Sequence, residues 1–155
     1  MANDPNRVIK FCQATDLDQY DLTAAVLDSL INNSLPAYAR VYMRGYRKFE
    51  SKGYVLYYYV MEKLLPISED ERKVFHTILS HEDRNIEKNY TSSELEKILR
   101  GLRRGLDFDA EKVKFLSDAI RISPIKHLDI HPRNIMKNAA GDFKLIDFDR
   151  ARFNE

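Results

Sequence analysis

Cysteine is almost missing from this chain. Cys12 stands alone among 155 residues, which excludes an internal disulfide and fits a reducing compartment such as the cytoplasm. An excess of one charge is missing too. Lys and Arg number 25 against 24 Asp and Glu, a formal net charge of +1, so the balance carries no footprint of nucleic acid or of a membrane surface. No apolar run reaches the roughly 18 residues that a spanning helix needs, and the N-terminus lacks the apolar core of a signal peptide. Repeats and low-complexity stretches are absent. Glycine is scarce. Gly45, Gly53, Gly101, Gly105 and Gly141 are the five, and none falls into the G-x-G-x-x-G spacing of a phosphate-covering loop. The expectation is a cytoplasmic protein with neither a nucleic-acid nor a membrane partner.

What remains is an ordinary globular composition, 44% hydrophobic, enough for one compact domain or two small lobes sharing a cleft. Residues 7–12 read as a strand that carries Lys10 between apolar neighbours. Residues 16–33 read as a helix, with Leu22, Ala25, Val26, Leu27, Leu30 and Ile31 as its apolar face and an aspartate (16, 18 or 21) as cap. Turn chemistry over 32–36 ends it. Residues 39–46 and 54–64 read as two strands joined by a hairpin loop. The run Tyr57-Tyr58-Tyr59 is explained by strand propensity and packing rather than by base stacking.

Pro66 breaks the chain, and Ser68 followed by three acids starts a helix whose stripe is Val74, Phe75, Ile78 and Leu79. His76 and His81 are five apart and share no helix face, so they read as solvated positions and not as metal ligands. A further helix begins near Ser92, with Leu95, Ile98, Leu99 and Leu102 inward. Its basic run Lys97, Arg100, Arg103 and Arg104 reads as a solvated face. Residues 109–122 form the next helix, with Val113, Phe115, Leu116, Ala119 and Ile120 apolar. Residues 135–137 and 143–146 then make a hairpin through Asn138-Ala139-Ala140-Gly141-Asp142.

The chemistry concentrates at His127-Leu128-Asp129-Ile130-His131-Pro132-Arg133-Asn134 and Leu145-Ile146-Asp147-Phe148-Asp149. Asp129 lies five residues before Asn134, and Asp147 lies thirteen after it. This pattern resembles the protein-kinase-like superfamily, whose catalytic loop has the form H-R-D-x-x-x-x-N with a D-F-G beyond it. The H-x-D-x-H-P-x-N form is closer to the aminoglycoside-phosphotransferase-like branch. Leu128 replaces the arginine of regulated protein kinases, and Asp149 replaces the glycine of D-F-G. The resemblance implies that Asp129 accepts or orients the hydroxyl proton of an acceptor. It implies that Asn134 and Asp147 hold Mg²⁺ on the phosphates of ATP.

The resemblance extends to the rest of the chain. Lys10 looks like the strand lysine that holds the α- and β-phosphates. Its residue-level alternative is a lysine that guards an edge strand. The 16–33 helix matches the helix that carries the lysine's glutamate partner; no glutamate is present there, and Asp28 is the substitute, or else a solvated charge. Met61, Glu62 and Leu64 resemble the hinge, with Met61 behind the adenine and the Glu62 carbonyl and Leu64 amide at its edge. His127 takes a structural place. His131 stands where serine/threonine kinases have lysine, either contacting phosphate or packing the loop.

The implied fold is α+β, a reduced bilobal kinase-like core. Residues 1–64 would form an N-lobe remnant without the glycine-rich loop, and 65–155 a truncated helical C-lobe without an activation segment. The implied activity is transfer of the ATP γ-phosphate to a hydroxyl, on a protein serine or threonine rather than a small molecule. The alternative is a pseudokinase that binds nucleotide or protein. A dimer, or completion by another chain, is a further expectation.

Overall fold

The computed structural model describes residues 4–79 and 92–153; His81 lies outside them. The fold is α+β. β1 (Arg7–Ala14), β2 (Val41–Phe49) and β3 (Tyr54–Glu62) form an antiparallel sheet in the order β1-β3-β2, with α1 (Leu17–Asn32) between the first two in sequence. The second part holds β4 (Leu65–Pro66), α2 (Glu69–Ile78), α3 (Ser92–Leu102), α4 (Ala110–Ile122), β5 (Ile125–Lys126), β6 (Ile135–Lys137), β7 (Phe143–Leu145) and β8 (Arg152–Phe153). It is mainly helical, with short pairings β4-β6-β7 and β5-β8. A strand-rich part and a helical part are compatible with the reduced bilobal arrangement that the resemblance implies. Among the described residues no helix is long and apolar enough to cross a membrane.

Local chemistry sets the element ends. Asp16 caps α1 by accepting the Gln19 N–H at 2.7 Å, and Asp109 caps α4 by accepting the N–H groups of Glu111 and Lys112. Ser68 and Glu71 make a reciprocal capping box on α2. The Ser68 N–H donates to Glu71 Oε1 at 2.7 Å, and the Glu71 N–H donates to Ser68 Oγ at 3.1 Å. The α2 stripe Val74, Phe75, Ile78 and Leu79 is buried, as its spacing predicts.

Other faces differ from expectation. On α1 the buried stripe is Tyr20, Thr23, Ala24, Val26, Leu27 and Leu30; Leu22 is 53% exposed and Ala25 is exposed too. Apolar character alone placed them inward, whereas the helical stripe is completed by Tyr20 and Thr23. Phe115 of α4 is likewise exposed. In β3, period-two alternation buries Tyr57 and Tyr59 and turns Tyr58 to the other face. There Tyr58 crosses Gly45, its register partner on β2, and its ring takes the space that a Cβ at Gly45 would need.

The two parts share one core. Ala39, expected to begin a strand of the sheet, instead reaches across with Ala37 and Tyr38 to β7. The Leu145 N–H donates to the Ala37 carbonyl at 2.8 Å, and the Ala39 N–H donates to the Leu145 carbonyl at 3.0 Å. Tyr38, 2% exposed, donates its hydroxyl to the Ile125 carbonyl. The backbone groups of Ala37, Ala39, Ile125 and Leu145 named here thereby find partners. The crossing fixes the sheet against the strand pair that carries the candidate site.

Candidate active site

The loop between β5 and β6 is built around His127, which is 2% exposed. Its Nε2 lies 2.7 Å from the Ile146 carbonyl, and its Nδ1 accepts the Asp129 N–H at 3.2 Å. A carbonyl needs a donor and an N–H needs an acceptor, so the ring is the neutral Nε2–H tautomer. Burial pushes its pKa below the ordinary 6.5, ahead of the opposing pull of the Ile146 carbonyl and Asp129. His127 thus ties this loop to the residue before Asp147, the structural place expected for it.

Pro132 opens a short 3₁₀ turn, Pro132–Asn134, that delivers Asn134 to the interior at 5% exposure. The Asn134 Nδ2 group donates to the Asp129 carbonyl at 2.9 Å and lies 3.3 Å from Asp129 Oδ2. Both are acceptors, so the amide nitrogen must face them, and among the described residues Oδ1 makes no hydrogen bond. The Asn134 carbonyl accepts the Ile146 N–H at 2.9 Å, and β6 pairs Ile135 with Leu145. That hairpin is what sets Asp147 beside Asn134.

Among the described residues, two non-glycine residues have left-handed backbone: Leu128 at φ 65° and Asp147 at φ 67°. Such residues cost on the order of 1–3 kcal/mol each and persist where neighbours over-determine them. Here the neighbours are the His127 bonds on both sides and Phe148, fully buried among Tyr38, Tyr59 and His127. The result is an Asp147 carboxylate facing the sheet. Lys10 Nζ lies 3.4 Å from Asp147 Oδ1. Burial works to raise the Asp147 carboxyl, but the hydrogen bond from Asp149 and the Lys10 ammonium outweigh it and hold it below the usual range. Asp149 moves the other way, raised by burial first and then by Asp147 and Asp129.

Lys10, Asp129, Asn134 and Asp147 therefore converge from β1, the loop and the end of the hairpin. Asp28 does not join them. It is held by Arg44 of β2, with Nε to Oδ1 at 2.6 Å and Nη2 to Oδ2 at 2.8 Å. The expected Lys10–Asp28 pair is thus corrected: a bidentate guanidinium fork takes the carboxylate, and Lys10 turns to Asp147. What α1 supplies is Thr23, whose hydroxyl donates to the Asp149 carbonyl at 3.2 Å, a bond supported by Arg152 on the same carbonyl at 3.1 Å. Arg150 Nη1 stands 3.9 Å from Asp129 Oδ1. Sequence reading missed Thr23, Arg150 and Arg152. The adjacency of Arg150 and Arg152 to the D-F-D run was the available signal.

His131 Nε2 lies 3.1 Å from the Asn134 amide nitrogen and 3.7 Å from Asp129 Oδ1, while its Nδ1 is buried without a partner. At the segment expected to form the hinge, Met61 and Leu64 are buried. The Glu62 N–H is taken by the Arg40 carbonyl and the Lys63 N–H by the Asn6 carbonyl. Neither is one of the two groups expected at an adenine edge, the Glu62 carbonyl and the Leu64 amide.

The donor set suits magnesium. No three His, Cys, Asp or Glu side chains converge into a cage among the described residues. One amide oxygen and one carboxylate are what a Mg²⁺ ion held mostly by phosphates and water requires.

No family model matches the chain, and no curated protein matches it. Among solved structures it is similar to a crystal structure of WbdD, at 16% identity and a TM-score of 0.49, covering 97% of this chain and 29% of that one. It is also similar to a co-crystal structure of WbdD and the kinase inhibitor LY294002, at 17% identity and a TM-score of 0.46, covering 96% and 30%. This chain thus spans less than a third of the length of either.

Proposed function

We propose that this chain binds Mg²⁺-ATP between the sheet and the catalytic loop and transfers the γ-phosphate to a hydroxyl, that of a protein serine or threonine. The observation that carries the reading is the 3.4 Å approach of Lys10 to Asp147, beside an Asn134 whose amide oxygen is left free. Asn134 Oδ1 and the Asp147 carboxylate would hold the metal, and Lys10 would turn from Asp147 to the phosphates. When bound, Mg²⁺-ATP supplies the phosphoryl group and a cation that neutralises its oxygens.

The chain's own residues then have mainly to position. Asp129 takes the hydroxyl hydrogen in a hydrogen bond and aligns the oxygen; Asn134 Nδ2 and the His127-bound N–H hold Asp129 in place. Such positioning supplies much of the catalysis in phosphoryl transfer. Transfer of radiolabelled γ-phosphate to a serine peptide tests this. The natural chain should transfer it, and Asp129→Asn should lose about 10²-fold or more while still binding ATP. Equal transfer by both would remove Asp129 from its role.

A second reading is a nucleotide-binding pseudokinase. One observation favours it: Asp28 is taken by Arg44, leaving α1 without an acid on Lys10. ATP binding without transfer to any hydroxyl peptide would decide for it.

A further inference from the structure

A groove of about 820 Å³ opens on the far side of the catalytic loop, between α2 and the 3₁₀ turn. That volume lies within the range of sites that hold ligands. Its rim is cationic. Arg72 and Lys73 come from α2 and Arg133 from the turn, against Glu69 alone. Arg72 reaches Glu69 only at 3.8 Å with both side chains exposed. Among the described residues, neither Lys73 nor Arg133 makes an ion pair. His76, read from the sequence as an idle solvated position, lies on the same wall, and Leu79, Leu106 and Pro132 give an apolar lining.

His131 joins the groove to the site. It lines the groove, and its Nε2 lies 3.7 Å from Asp129 Oδ1. Nε2 lies 3.1 Å from the Asn134 amide nitrogen, and Nδ1 is buried without a hydrogen-bond partner. A buried polar atom left unpaired costs free energy that a polar group of a ligand would recover.

We propose that this groove is the acceptor site and that it selects a peptide whose serine or threonine is flanked by an anionic side chain, carboxylate or phosphate. The inference rests on the reading of Asp129 as the residue that aligns the acceptor hydroxyl. The anion lies between Lys73 and Arg133, and the neighbouring hydroxyl passes His131 to reach Asp129. Attraction between exposed charges draws such a peptide in and weakens with salt.

Fluorescence anisotropy in the absence of nucleotide tests this apart from phosphotransfer. The probes are three labelled peptides, each with one central serine, flanked by glutamate, by phosphoserine or by glutamine. The charged peptides should bind more tightly than the glutamine peptide. In the double variant Lys73→Gln/Arg133→Gln that preference should fall roughly tenfold, since each exposed cation contributes up to about fivefold. Both positions are exposed, and an unchanged melting curve shows that the variant folds. A gain for phosphoserine alone would mean that the groove reads phosphate; a gain for glutamate as well, that it reads charge. Equal binding of all three peptides, or an unaltered preference in the double variant, overturns the proposal. Binding of Mg²⁺-ATP to the natural chain, titrated separately, reports on the nucleotide reading and not on the groove.

Discussion

His127 is held by two bonds that only a neutral ring can make together, one given to Ile146 and one received from Asp129. Its folded pKa lies below the ordinary 6.5 because burial disfavours the cation. As pH falls through about 6.5 the unfolded chain takes up a proton that the folded one refuses, so stability present at neutral pH is lost on acidification through that value. Thermal melts between about pH 5 and 7 should show this slope. His127→Gln, though less stable throughout, should flatten it; an unchanged slope would mean that another group is responsible. The histidine and its neighbours were legible in sequence because their spacing is local. Asp28 was not. Its role was inferred from its place on a helix, but its partner depends on which cation of β2 faces α1, and that is fixed only when sheet and helix pack.

At the scale of elements, Glu71 joins α2 to the site's hairpin. It closes the capping box with Ser68, and Lys137 of β6 donates to the same Oε1 at 2.9 Å. Burial works to raise the Glu71 carboxyl, but the Ser68 N–H and Lys137 outweigh it and hold it below the ordinary 4.5. A carboxyl lowered by folding stabilises above its unfolded pKa, and that contribution fades as pH falls through the folded value. Glu71→Ala should cost about 1–2 kcal/mol in urea unfolding. Glu71→Gln, which can keep a cap acceptor but not the charge, should lose less and show weaker acid sensitivity. A cost near zero for Glu71→Ala would mean that the cap and the Lys137 bond are dispensable. Helix starts and the β6–β7 hairpin were readable from caps, stripes and the Asn-Ala-Ala-Gly-Asp turn. The crossing of residues 37–39 onto β7 was not, because its partner lies more than a hundred residues away.

Across the whole molecule, the candidate site exists because three separated stretches meet. β1 brings Lys10, the loop after β5 brings Asp129 and Asn134, and the hairpin end brings Asp147. Lys10 and Asp147 are each about one-third exposed, so their pairing adds little to folding. Lys10→Ala should therefore leave the melting temperature nearly unchanged and weaken ATP binding roughly tenfold or more. The most direct test is calorimetric titration of ATP, with and without Mg²⁺, into the natural chain and into Asp147→Asn. The account predicts Mg²⁺-dependent binding by the natural chain and its loss in Asp147→Asn. Absence of binding at millimolar ATP, or binding that neither Mg²⁺ nor the substitution alters, would contradict it.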